Sequence, residues 1–189
     1  MAEKNTGMVA SAMNYAIPLG LFWVFKYIFV ILGDNYDRSL YIESLLSIFT
    51  PVIYYILLCR YRDVNKEGKL DYGDAILFSL LLFLFASLFE VVMVCLHIYI
   101  INPATLSIYA QQIRESGSLE QTQKLLSTFG MNGEVDKDMF ENYMDFYASH
   151  IGVIFIFSRI FVNFLLGLFL SLVLGYFVSR QRPNQSQKL

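Results

Sequence analysis

Glu90 and Arg159 each stand near the middle of an apolar run longer than a bilayer is thick. Ionisable groups at that depth mark proton relays, ion paths or paired structural charges. Two more charges, Lys26 and Glu43, lie in shorter apolar runs. Ser87, Glu90 and His97 share one helix face by spacings of three and seven. Arg159, Asn163, Gly167, Ser171 and Gly175 recur every four residues, polar at one end of the row and small at the other. A carboxylate, an imidazole and a guanidinium in one seam have the chemistry to pass a proton or an ion. Oppositely charged pairs on neighbouring helices can equally fix those helices in register.

The elements that carry these residues are membrane spans. About 20 consecutive apolar residues cross a bilayer as helix, and residues 75–101 and 151–178 meet that length without ambiguity. Residues 11–32, with Pro18 and Lys26, and residues 40–59, with Glu43 and Pro51, are the other two. Proline is tolerated in membrane helices and predicts a kink near each site. The turn GDNYDRS (33–39) makes a hairpin of the first two spans. The fold class is therefore all-α, a polytopic membrane protein with four transmembrane helices and a single membrane domain over 1–189.

Four spans put both termini on one side. Lys4, Arg60, Arg62, Lys66, Lys69, Arg180, Arg182 and Lys188 lie on that side, and Arg38, Arg114, Lys124 and Lys137 on the other. The excess assigns the termini, the basic turn 60–74 and the tail 179–189 to the cytoplasm. Residues 102–149 then face outward, on the periplasmic side. Asn102-Pro103 reads as a helix start, and Ser118 with Gln121 fits a capping box opening a second helix that Gly130 closes. Met139, Tyr143, Phe146 and Tyr147 form one apolar stripe in a third. The segment is expected to be a set of short amphipathic helices, the last running straight into span four.

At 1.5 Å per residue, Glu90 is ~16 Å and Arg159 ~12 Å from the outer ends of their spans, Lys26 ~9 Å and Glu43 ~5 Å. Opposite signs at compatible heights pair Lys26 with Glu43 and Glu90 with Arg159. On each span the polar row, including Asn14, Pro18 and Lys26 on span one, is expected to turn away from lipid. Gly167, Ser171 and Gly175 are expected to form a ridge that another helix approaches closely.

Composition narrows the chemistry. The chain is 56% hydrophobic and 16% charged with 17 Phe and 13 Tyr, as suits helices in lipid with aromatic belts. A net charge of −2 offers no basic stripe for nucleic acid. His97 and His150 have no ligand partners at metal spacing, and Cys59 and Cys95 are too far apart in depth to bridge. No nucleophile motif, phosphate loop or glycine fingerprint is present. No enzyme and no cofactor are expected.

The stretches CRYRDVNKEGKLDYGDAILFS (59–79) and IINPATLSIYAQQIRESG (100–117) resemble a bacterial membrane family catalogued as domain of unknown function 4199. The likeness extends to the order of parts: two spans, basic turn, span, outer helical segment, span, basic tail. Asn102, just before Pro103, stands where that family more often has an acid. The resemblance implies a bacterial inner membrane and supplies no mechanism. The leading functional expectation is a non-catalytic structural or accessory membrane protein, held by interhelical charge pairs and meeting a membrane or envelope protein partner or a second copy. The alternative is a small transporter or channel subunit that uses Glu90, His97 and Arg159 as an ion or proton path.

Overall fold

The computed structural model describes residues 2–33, 38–116 and 136–180 together with the pairs 123–124 and 127–128. The helix expected over 118–129 lies outside the described residues. The described chain is helical throughout: α1 (Ala2–Gly33), α2 (Arg38–Ser47), α3 (Thr50–Asn65), α4 (Tyr72–Leu96), α5 (Ala104–Ser116), α6 (Lys137–Ser149), α7 (Ile151–Leu170) and α8 (Tyr176–Arg180). Wide i→i+5 turns continue α4 over His97–Ile101 and join α7 to α8 over Ser171–Gly175. Four stretches are long and apolar enough to cross a membrane: Gly7–Gly33, Tyr41–Asn65, Tyr72–Ile101 and Ile151–Arg180.

The two prolines act differently. Helix α1 runs unbroken through Pro18. The second span is interrupted at Ile48 and Phe49, and Pro51 opens α3. Proline has no N–H to continue the ladder and suits the first helical turn, so it starts the second half of this span. Past α3, Gly68 takes φ 80° and its N–H donates to Arg62 O at 3.0 Å, which closes the helix into the turn before α4.

The chain forms two compact units, one of Met1–Val94 with Arg159–Leu189 and one of Cys95–Ser158. In the first, Met8, Ala12, Ala16, Leu19 and Trp23 make one buried face of α1 against Tyr54, Leu58 and Tyr61 of α3 and Phe78, Leu82 and Phe83 of α4. Small residues on α1 let the aromatics of α3 and α4 fill the space. Tyr61 stacks on Phe78 at 3.7 Å between centroids, and Phe83 meets both Trp23 and Tyr54 edge-on. On the opposite side of α1, Met13, Ile17, Leu21, Phe25 and Leu32 are exposed, an apolar stripe suited to lipid.

Span four is the least embedded. Only 6% of its apolar window is buried within the chain, against 39% for span three. Its buried residues in the first unit are Gly167, Ser171, Gly175 and Val178, so the bundle touches it along one narrow row.

The second unit contains α5, α6 and the first residues of α7. Asp136 caps α6 by accepting the Asp138 N–H at 2.9 Å, and Asp138 adds a favourable negative charge in the first turn. Leu106 of α5 and Tyr99 lie against Gly152, where a Cβ would stand 3.5 Å from Leu106 Cδ1 and 2.7 Å from Tyr99 Oη. Tyr109 of α5 stacks on Phe155 of α7 at 5.6 Å.

Candidate functional site

Glu90 is the most enclosed charge of the first unit, with a side chain only 3% exposed. Its partners come from span four. Asn163 Nδ2 donates to Glu90 Oε2 at 2.6 Å, and Arg159 Nη1 stands 3.9 Å from Oε1. The i+4 spacing of Arg159 and Asn163 places both on one face of α7, one turn apart. The Arg159 side chain is 35% exposed, whereas the carboxylate is covered. Ser87, one turn below Glu90, spends its hydroxyl on Leu84 O of its own helix at 2.7 Å.

Lys26 and Glu43 form the other intramembrane contact. Lys26 Nζ lies 3.1 Å from Glu43 Oε1 and donates to Ser47 Oγ at 3.2 Å. Ser47 Oγ is in turn 3.0 Å from Glu43 O and 3.2 Å from Oε1. The three groups close a triangle at the end of α2, just before the interruption at Ile48 and Phe49. Across that interruption Trp23 Nε1 donates to the buried Thr50 Oγ1 at 3.4 Å.

The rest of the polar pattern is rearranged. Asn14 and Pro18 are exposed rather than turned inward. Each i+4 step rotates about 40° around a helix, so Lys26 lies about 120° from Asn14 and the row cannot stay on one face. His97 is buried in the second unit, whereas Glu90 belongs to the first, and its carbonyl accepts the Asn102 N–H at 2.8 Å in the i→i+5 turn.

On span four, a Cβ at Gly167 would stand 2.7 Å from Phe83 Cγ, while one at Gly175 would stand 3.5 Å from Ala75 Cβ. Ser171 is fully buried between them and bonds to Leu168 O at 2.7 Å. The helix that approaches this row is therefore α4 of the same chain. The i→i+5 turn at Ser171–Gly175 holds one more residue than an α-turn and offsets the slant of the row.

Further contacts were not anticipated from the sequence. Gly20 of α1 meets Phe89 of α4, where a Cβ would stand 2.6 Å from the ring. Tyr54 Oη and Ser79 Oγ share a buried hydrogen bond at 2.6 Å. Arg62, counted as a charge of the basic turn, is itself buried. It pairs with Asp63 at 2.7 Å, and Nη1 donates to Val178 O at 3.3 Å, tying the last helix to α3. Lys66 pairs with Asp74 at 2.9 Å beside it. Among the described residues no group of His, Cys, Asp and Glu could hold a metal ion.

Four helices long and apolar enough to cross a bilayer define a multi-pass membrane protein. The chain belongs to the family described as "Protein of unknown function (DUF4199)", which matches residues 14–180. No curated protein and no solved structure matches it.

Proposed function

We propose that this is a non-catalytic structural or accessory protein of a bacterial inner membrane, with both termini in the cytoplasm. In this reading Glu90 with Arg159 and Asn163, and Lys26 with Glu43 and Ser47, are interhelical clamps. The carrying observation is the Glu90 carboxylate, held by an amide at 2.6 Å and facing a guanidinium at 3.9 Å while 3% exposed. A carboxylate that relays protons needs access to water and freedom to exchange partners. One enclosed by fixed donors from a neighbouring helix is suited to setting register. A partner in the envelope, or a second copy, is the accessory part of the proposal.

The test combines stability with transport. In detergent, Arg159→Met is expected to lower stability more than the double change with Glu90→Gln, with a coupling of about 1 kcal/mol, because it leaves a buried carboxylate with one partner fewer. In liposomes the wild-type protein is expected to conduct no protons under an imposed gradient. Absence of coupling would remove the clamp. A proton flux abolished by Glu90→Gln would replace it with the ion path.

A further inference from the structure

Helices α5 and α6 adjoin the Ile151 end of span four within the second unit. Span four is 30 residues long, Ile151–Arg180, or about 45 Å as helix. The hydrocarbon core is about 30 Å thick, which leaves roughly five residues beyond it at each end of a centred span. Near the Arg180 end, Tyr176 carries the Arg180 guanidinium over its ring at 4.5 Å and packs edge-on against Tyr72. Such aromatic and cationic pairs belong at the headgroup level. About 20 residues further along, the opposite edge falls at Phe155 and Ile156. Phe155 is where Tyr109 of α5 stacks, and Leu106 of α5 reaches Gly152 one turn beyond. Helix α6 lies alongside α5, with Ser107, Ala110 and Gln111 facing Ala148 and Ser149 across an open groove of about 450 Å³.

Helix α6 exposes Met139 (73%), Tyr143 (60%) and Phe146 (59%), and α5 exposes Ile108 (51%). Helix α6 has three arcs at about 100° per residue. One, ending at the buried Ala148, turns toward α5. A second carries Asp138, Glu141 and Asp145. The third is the exposed apolar stripe. A bare stripe of this kind would be costly in water. Only one residue, His150, separates α6 from span four, whose exposed Val153 and Phe157 continue the apolar surface. His150 stacks on Phe146 at 4.3 Å, an aromatic pair suited to the headgroup layer. The acidic arc, with Lys137 engaged by Glu141 at 3.7 Å, offers nothing to anionic lipid.

From these contacts and exposures we infer that α6, with Ile108 and Tyr109 of α5, lies in the bilayer interface. Met139, Tyr143 and Phe146 are immersed in a zwitterionic phospholipid surface, and the acidic arc faces water. This interfacial docking surface is independent of the clamp proposal.

The test is site-directed spin labelling in phosphatidylcholine nanodiscs. Single cysteines replace Met139, Tyr143, Phe146 and Glu141 in a Cys59→Ala, Cys95→Ala chain. Labels at 139, 143 and 146 are expected to collide with oxygen more than with a water-soluble nickel complex, and the label at 141 the reverse. Nickel-favoured collisions at all four positions would place the stripe in water. Protection of the stripe from both reagents would mean that protein covers it. Either result overturns the inference. Should the cysteine-free chain fail to fold, Phe146→Trp in a Trp23→Phe chain gives the same decision. Quenching by brominated phosphatidylcholine supports immersion, and quenching by acrylamide alone, or by neither, refutes it.

Discussion

Asn163 is nearer the Glu90 carboxylate than Arg159 is, 2.6 Å against 3.9 Å, and that difference ranks the two substitutions. Asn163→Ala removes the short bond and leaves a buried anionic oxygen without its donor, which costs about 1–3 kcal/mol. Arg159→Met removes a longer, part-exposed contact, and exposed ion pairs contribute about 0–1 kcal/mol. Thermal unfolding in detergent should therefore show the larger loss for Asn163→Ala. A larger loss for Arg159→Met would mean that the guanidinium, not the amide, carries the contact. The sequence places Glu90 and Arg159 inside apolar runs. The amide bond could not be read there, since asparagine on a polar row is silent about which oxygen it meets. Arg62 shows the same limit more sharply. Nothing around it in the sequence points to Val178, 116 residues away, whose carbonyl gives it a buried partner.

Helix α4 meets α1 and α7 through glycines, and the fit differs from site to site. An added methyl at Gly167 would press within 2.7 Å of Phe83 Cγ and 2.8 Å of its Cβ, and one at Gly20 within 2.6 Å of the Phe89 ring. Neither neighbour offers a flexible far end that can swing aside. Overpacking of this kind costs typically 1–3 kcal/mol, enough to outweigh the roughly 1 kcal/mol by which alanine exceeds glycine as a helix former. At Gly175 the nearest atom is at an ordinary 3.5 Å, so alanine there is free to express its helical advantage. Melting temperatures should fall for Gly167→Ala and Gly20→Ala and hold or rise for Gly175→Ala. Phe83→Leu should recover part of the Gly167→Ala loss. A uniform response at all three sites would separate the glycines from helix packing.

The four spans were legible because apolar length alone specifies them. Gly20 was not, because one glycine between Leu19 and Leu21 forms no periodic pattern. The i→i+5 turns at His97–Ile101 and Ser171–Gly175 have no compositional signature either. The interruption at Ile48 and Phe49 was only half legible, since Pro51 signals a disturbance while the identical argument at Pro18 meets an unbroken helix.

For the whole molecule, orientation is set while the chain inserts, before any tertiary contact exists. The relevant count is therefore of Lys and Arg along the sequence, not of charges left free after folding. By that count the side holding both termini has eight and the other side four. The pairing of Arg62 with Asp63 and of Lys66 with Asp74 does not weaken the bias. Neither do the acids among them, because Asp and Glu contribute little to the rule. The basic residues of 60–74 are also close to the ends of spans two and three, where such charges act most strongly. The termini and the 60–74 turn should be cytoplasmic, and α6 should be on the opposite side. Glu67 and Asn142 are both exposed and serve as reporters. With Glu67→Cys and Asn142→Cys in separate chains, an impermeant maleimide added to intact spheroplasts should label position 142 alone. Position 67 should label only after the membrane is opened. Labelling of position 67 in intact spheroplasts, with position 142 silent, would invert the molecule.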